Sequence, residues 1–120
     1  MGTWDLNGTR HHVLICNGGS CMRKQAEEVT RAIRGEIAAF GADPWIHTTR
    51  TRCNGRCEDG CVVIVYPDGV WYRGVTPDSG RQIVMDDLVG GKPPSCGVSY
   101  RYGREGLISV SDAPKGVPKK

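Results

Sequence analysis

The spacing of apolar residues along this 120-residue chain predicts short strands separated by helices. The run at residues 11–16 ends in Val-Leu-Ile-Cys and indicates a buried strand. Apolar residues then recur at helical spacing across residues 22–40, opposite a charged face. Gly41 is placed to end that helix. β-Branched and aromatic residues at 45–50 predict a second strand, and the unbroken apolar run at 61–66 predicts a third, central strand.

The next part of the chain carries strong turn and helix-start signals. Pro67-Asp68-Gly69 favours a hairpin turn into a short strand at residues 70–72. Thr76 followed by Pro77 is typical of a helix start, and we expect this helix to reach about Val89. The order β-α-β-β-β-α predicts an α/β protein with a four-stranded mixed sheet and two main helices packed on it.

The C-terminal part of the chain carries weaker signals. From residue 97 onward it is rich in Gly, Ser and charge, so we expect mostly extended or disordered chain, with a short strand at most at residues 107–110. The chain therefore divides into a lead-in at 1–10, a folded domain at 11–92 and a Gly-, Pro- and charge-rich extension at 93–120.

Composition limits the classes of function. A hydrophobic content of 38% and 17 glycines fit one small core with many turns. The sequence has no apolar run of about 18 residues and no signal-peptide pattern, so we expect a cytoplasmic protein without a membrane span. The net charge of +3 is mild, and no basic stripe with interleaved aromatic residues predicts a nucleic-acid partner.

Six cysteines in a reducing compartment favour metal binding over disulfides. Cys16 and Cys21 form a C-x4-C pair, and Cys53 and Cys57 form a C-x3-C pair, each in a loop that contains Gly and Asn. The helix between the pairs rises about 27 Å and the following strand returns about 20 Å, so both loops are expected at one edge of the sheet. Thiolates grouped in this way hold a soft metal or an iron–sulfur cluster.

Charges near the cysteines bear on the same site. Cys21 is expected at a helix start, where partial positive charge favours a thiolate. Five cations lie close by in sequence and would stabilise a reduced, more negative centre: Arg23, Lys24, Arg50, Arg52 and Arg56. Glu58 and Asp59 are interpreted as a solvated acidic pair, because no histidine or serine partner is spaced for acid–base catalysis.

Three segments together resemble a known family. They are Gly19-Ser20-Cys21, the Cys53-x3-Cys57 pair, and Val65-Tyr-Pro-Asp-Gly-Val-Trp-Tyr72 followed by Val75-Thr-Pro77. They are similar to the thioredoxin-like [2Fe–2S] ferredoxins over roughly residues 12–91. The same module occurs as the peripheral iron–sulfur subunit of NADH dehydrogenase and of some hydrogenases, and in small proteins associated with cobalamin biosynthesis.

The resemblance implies a thioredoxin-like fold and a [2Fe–2S] cluster bound by Cys16, Cys21, Cys53 and Cys57. It further implies one-electron transfer between redox partner proteins, without bond-making on a substrate, and a homodimer. This chain is basic where many ferredoxins are acidic, so we expect its partner to present an acidic docking surface.

Several alternatives remain open at this stage. Cys61 is either a core residue or a fifth thiol able to replace a ligand, and it motivates a metal- or cluster-handling accessory role, for example in corrinoid synthesis. A structural zinc module is disfavoured because C-x2-C pairs are absent. Rieske-type ligation by His11, His12 or His47 is unnecessary when four cysteines fill the site. Cys96 is interpreted as incidental.

Overall fold

The computed structural model describes residues 3–94, 96–110 and 114–119. It contains a six-stranded mixed sheet and helices that pack on it. Its strands are β1 (His11–Cys16), β2 (Ile46–Thr51), β3 (Val63–Tyr66), β4 (Val70–Tyr72), β5 (Val98–Gly103) and β6 (Gly106–Ser109). Its helices are α1 (Gly19–Arg23), α2 (Ala26–Ala39) and α3 (Pro77–Gln82), which continues as a π-helical segment, Ile83–Val89. Within the described residues, no helix is long and apolar enough to cross a membrane.

The strand order is β2-β1-β3-β4-β5-β6. β1 and β2 are parallel, with Cys16 opposite Thr51, and every other neighbouring pair is antiparallel. The α/β class and mixed sheet agree with the prediction, but the sheet has six strands rather than four. β5 comes from the part of the chain that we expected to be extended or disordered, so that expectation was wrong for its residues, whereas β6 lies where a short strand at 107–110 was allowed.

The helices cover one face of the sheet. Val13, Ile15, Val63 and Val65 face each other across β1 and β3, and they are fully buried or nearly so. α2 contributes Val29, Ile33 and Ile37 to the same core, and the π-helical segment contributes Ile83, Val84 and Leu88. α3 packs closely on α2, because a Cβ atom added to Gly80 would lie 3.1 Å from the Ile33 side chain.

The predicted helix at residues 22–40 is two helices in the structure. Gln25 has a positive φ of 70°, which interrupts the helix between Arg23 and Ala26. The N-cap of α1 is Gly18, and Ser20 lies inside the helix. The predicted end is confirmed, because Gly41 has φ 63° and its N–H donates to the Ala38 carbonyl.

Candidate metal centre

The parallel pairing of β1 and β2 brings the two cysteine loops to the same edge of the sheet. Cys16 is the last residue of β1, and Cys21 lies in α1 just beyond it. Cys53 follows β2 by two residues, and Cys57 begins a short 3₁₀ turn, Cys57–Asp59. The predicted convergence of the loops is therefore confirmed. It follows from strand direction, because parallel neighbours end at the same edge.

A single cavity lies between the two loops. Its lining consists of Cys16, Gly18, Ser20, Cys21, Cys53, Arg56 and Cys57. The Sγ atoms of Cys53 and Cys57 are 3.5 Å apart, and all six cysteines are free thiols. No three His, Cys, Asp or Glu side chains of the described chain are grouped to hold one metal ion. The four thiols nevertheless share this one cavity, and they provide the sulfur donors that an iron–sulfur cluster requires.

The four thiols differ in exposure. Cys16 and Cys21 are each 3% exposed and belong to the hydrophobic core, whereas Cys53 and Cys57 are exposed. A centre held here would have protein on one side and the molecular surface on the other. That position suits exchange of electrons with another protein.

Gly18 lets the two loops approach each other. A Cβ atom at this position would lie 2.8 Å from both the Cα and the backbone N of Cys53, closer than real Cβ contacts occur. Position 18 therefore requires glycine because a side chain has no space there. Backbone conformation does not require it, since Gly18 has an ordinary φ of −66°. The loop backbones and the four donors fit a small inorganic cluster.

The pKa values of the buried thiols show what opposes and what favours a thiolate here. Burial works against ionisation of Cys16, but hydrogen bonds from the Gly18 backbone, Cys21 and Asn54 outweigh it and lower the pKa of Cys16. Burial raises the pKa of Cys21 to about 11, with the Cys16 thiol adding to the effect. Burial therefore outweighs the thiolate stabilisation that was expected for Cys21 at a helix start.

Cys61 lies beside this pair but outside the cavity lining. It is 1% exposed, and its Sγ atom is 3.9 Å from the Cys16 carbonyl oxygen. Burial, followed by the charges of Cys21 and Cys16, raises the pKa of Cys61 to about 12. These contacts agree with the interpretation of Cys61 as a core residue. Cys96 is partly buried against the core and does not line the cavity either.

Four of the five predicted cations are exposed, namely Arg23, Lys24, Arg50 and Arg52. Arg50 also binds Glu27 through two hydrogen bonds, of 2.7 and 3.1 Å. Arg56 turns inward and lines the cavity. Only part of the basic character seen in the sequence is therefore presented to solvent near the site.

Two residues that the sequence interpretation missed lie behind the second cysteine loop. Asp59 is buried, not solvated as expected, and its Oδ2 atom accepts hydrogen bonds from Arg56 Nε at 2.6 Å and Ser99 Oγ at 2.8 Å. The three-residue spacing of Arg56 and Asp59 in the sequence is a weak signal for an ion pair between them. Nothing in the sequence signalled Ser99. His11, His12 and His47 lie at the opposite ends of β1 and β2 from the cysteines, so they do not join the site.

Comparison with known proteins identifies the class. Residues 6–87 match the thioredoxin-like [2Fe–2S] ferredoxin family, a span that contains all four predicted ligand cysteines. A Priestia megaterium protein provisionally named a 2Fe-2S ferredoxin is 51% identical over 119 residues, covering 98% of this chain and 93% of that one. The 2Fe-2S ferredoxin of Clostridium pasteurianum is 32% identical over 91 residues, or 69% of this chain and 89% of that protein.

A solved structure agrees with the sequence relatives. The thioredoxin-like [2Fe–2S] ferredoxin from Aquifex aeolicus superposes with a TM-score of 0.74 at 32% identity, covering 83% of this chain and 99% of that one. The fold and the cysteine-lined cavity thus define a thioredoxin-like protein that holds an inorganic cofactor. The chain belongs to the thioredoxin-like [2Fe–2S] ferredoxin family. The predicted family, fold, [2Fe–2S] cofactor and electron-carrier function are confirmed, and the zinc alternative is set aside.

Proposed function

We propose that this protein is a cytoplasmic carrier of single electrons in which Cys16, Cys21, Cys53 and Cys57 bind the [2Fe–2S] cluster. The observation that supports this ligand set is that all four cysteines line one cavity between two adjacent loops. Cys61 and Cys96 lie outside that lining and are not ligands in this proposal. The cluster, when bound, supplies reversible one-electron oxidation and reduction.

The protein residues around the cavity have distinct tasks. Cys16 and Cys21 exclude water on the inner side, because both are nearly fully buried. The Gly55 N–H lies 3.3 Å from Cys53 Sγ and donates to it, which partly offsets negative charge on that sulfur. The exposed Cys53 and Cys57 face the surface where a partner approaches. Electrons therefore enter and leave on the side of the second loop.

The redox partner is proposed to present an acidic surface. Arg23, Lys24 and Arg52 are exposed around the cysteine loops and supply positive charge where the partner would approach. The Lys24 side chain lies near Cys21, which lines the cavity. A Cβ atom added to Gly60 would be 3.3 Å from both Lys24 Cδ and Cys21 Sγ. Opposite charge steers encounter and is weakened by salt. Poly-L-glutamate should slow oxidation of the reduced protein by a neutral quinone at low salt, and poly-L-lysine should not.

A second copy of this chain is proposed to cover the sheet face opposite the helices. Alternation along the strands places Tyr66, Trp71, Tyr100, Tyr102 and Leu107 on that face. Tyr66 stacks edge-on against Tyr102, and Trp71 against Tyr100, with ring centroids 6.1 Å apart in each pair. Tyr102 is nevertheless 57% exposed. An apolar face of this kind favours association, in line with the homodimer that the family resemblance implies.

Spectroscopy and substitution together test the ligand assignment. Protein purified without oxygen should contain iron and acid-labile sulfide in equal amounts, absorb in the visible range and give an electron paramagnetic resonance signal only after reduction. Cys53→Ser and Cys57→Ser should lose most of the cluster, because each removes one sulfur donor. Cys96→Ser is the matched control and should keep it. A colourless wild type after anaerobic reconstitution, or bleaching by Cys96→Ser, would overturn the proposal.

A further inference from the structure

Arg56 connects the second cysteine loop to two distant parts of the chain. It lies between Cys53 and Cys57, yet its side chain is only 13% exposed. Its Nε atom donates to Asp59 Oδ2 at 2.6 Å, and its Nη2 atom donates to the Pro114 carbonyl at 2.6 Å. Its guanidinium also lies over the Tyr100 ring, 5.0 Å from the centroid. Three contacts, to Asp59, Pro114 and Tyr100, thus hold this side chain at the cavity wall.

Asp59 extends the connection into the sheet. Its side chain is 1% exposed, and its Oδ2 atom accepts the Ser99 hydroxyl of β5 as well as Arg56. Its backbone carbonyl accepts the Gly74 N–H at 2.7 Å. Among the described residues Asp59 Oδ1 is buried without a hydrogen-bond partner, so the carboxylate depends on Arg56 and Ser99, which both bind Oδ2.

Residues 114–116, here named the C-terminal strap, lie against the Arg56 guanidinium. A Cβ atom added to Gly116 would lie 2.8 Å from Arg56 Nη1 and 4.0 Å from the Tyr100 hydroxyl, so the strap passes directly over the guanidinium. The family match ends at residue 87, whereas Ser99, Tyr100 and the strap lie beyond it. Arg56 and Asp59 lie within the matched span, so the contacts join that module to the C-terminal part of the chain.

We propose that Arg56, Asp59, Ser99 and the C-terminal strap act together as a positioning device for the loop that carries Cys53 and Cys57. Since these two cysteines are the exposed pair, their loop is the side from which a cluster would be lost or attacked. The planar guanidinium fixes the loop through several hydrogen bonds at once, which lysine cannot reproduce. This inference rests on the proposed ligand set, and it makes the C-terminal part a determinant of cluster lifetime and reduction potential.

The test compares holoproteins carrying Arg56→Lys, Ser99→Ala or Gly116→Val with the wild type. Arg56→Lys keeps the charge but loses the planar contacts, Ser99→Ala removes the link from β5, and Gly116→Val displaces the strap. Each should lose its visible absorption to excess chelator about tenfold faster, as expected when a charge-assisted hydrogen bond is lost. Each should also shift the midpoint potential measured by film voltammetry. Ser109→Ala, at an exposed serine of β6, is the matched control for Ser99→Ala and should change neither.

Trypsin supplies a second measurement that needs no cluster. In the metal-free wild type it should cut after Arg52 faster than after Arg56, because the Arg56 side chain is enclosed. Ser99→Ala and Gly116→Val should accelerate the cut after Arg56. If both variants match the wild type within twofold in chelation and proteolysis, the device does not exist even if the cluster binds as proposed. A wild type that takes up no cluster would reject the ligand set, and proteolysis would still decide whether the strap holds the loop.

Discussion

Gly18 packs against the backbone of Cys53 where the two cysteine loops meet. The Cα atom of Cys53 lies 2.8 Å from where a side chain on Gly18 would begin. The contact joins the loop after β1 to the loop after β2, so the distance between the two cysteine pairs depends on the absence of a side chain at Gly18. We therefore expect cluster binding to depend on Gly18, which provides no ligand.

Gly18→Ala should sharply reduce the amount of cluster bound after reconstitution. The added methyl group must push the backbone of Cys53 away, and backbone cannot yield as a flexible side chain can. The measurement is the iron and sulfide content per protein after identical anaerobic reconstitution. Gly19→Ala is the matched control, because a Cβ there meets nothing closer than Arg23 Nη1 at 3.8 Å. Equal cluster content in the two variants would contradict the role assigned to Gly18.

The bound cluster should stabilise the fold. Four ligands drawn from two loops link α1, β1 and β2, and the free energy of binding adds to the free energy of folding. The holoprotein should therefore unfold at a clearly higher temperature than the metal-free protein in calorimetry under nitrogen. The difference should be much smaller in Cys57→Ser, which loses a proposed ligand. Identical unfolding temperatures for the holo and metal-free forms would argue against a cluster that joins the loops.

Thr76→Ala should lower the free energy of unfolding by about 1 kcal/mol. Thr76 Oγ1 accepts the Ser79 N–H at 3.1 Å, and Ser79 Oγ accepts the Thr76 N–H at 2.8 Å, so the two residues form a reciprocal cap. Urea denaturation of the metal-free protein measures the loss without interference from the cluster. Thr76→Ser, which retains an acceptor oxygen, serves as the control and should lose much less. A loss of the same size in both variants would show that the methyl group, not the cap, matters.

Local signals in the sequence predicted local structure well. Thr76 with Pro77 marked the cap of α3, and Gly41 marked the end of α2, because each residue acts on its own backbone neighbours. The convergence of the cysteine loops was also predictable, since a helix followed by a parallel strand returns the chain to one edge of the sheet. The assignment of Cys16, Cys21, Cys53 and Cys57 as ligands stays a prediction.

Features that depend on distant partners could not be predicted. Asp59 was interpreted as one of two solvated acidic residues, because its hydrogen-bond partner Ser99 lies 40 residues away in the sequence. β5 alternates aromatic with basic residues and lies near the edge of the sheet, so its apolar content alone did not indicate a strand. The break at Gln25 lies within an uninterrupted helical pattern, and no glycine or proline marks it.

Leu107→Glu should convert the proposed dimer into a monomer. Leu107 pairs with Tyr102 across β5 and β6, is 41% exposed and faces the aromatic side of the sheet. A carboxylate there would be buried without a partner in the dimer. Sedimentation velocity measures the change. Ile108→Glu is the control, because Ile108 is more exposed, at 59%, but points to the other side of the sheet. A monomeric wild type would reject the dimer, and equal effects of both variants would reject this face.

His12 should make stability fall in mildly acidic solution. Burial, with the charge of His47 as a second cause, lowers the pKa of His12 from its ordinary value of 6.5. The two rings lie 5.3 Å apart on neighbouring strands, and His12 Nε2 is 2.7 Å from Thr49 Oγ1. The folded protein therefore resists protonation of His12 more than the unfolded chain does. Its contribution to stability is complete above about pH 6.5 and is lost as the pH falls from there through the lower, folded pKa.

Substitution of His47 separates the two causes of the lowered His12 pKa, burial and the charge of His47. His47→Asn removes the second charge, so the pKa of His12 should rise towards its ordinary value and the acid loss of stability should shrink. A ring-proton NMR titration gives the pKa, and urea denaturation at pH 7.5 and 5.5 gives the stability. His12→Asn should remove this part of the pH dependence altogether. An unchanged His12 titration in His47→Asn would mean that burial alone sets the pKa, and the coupling between the two strands would have to be abandoned.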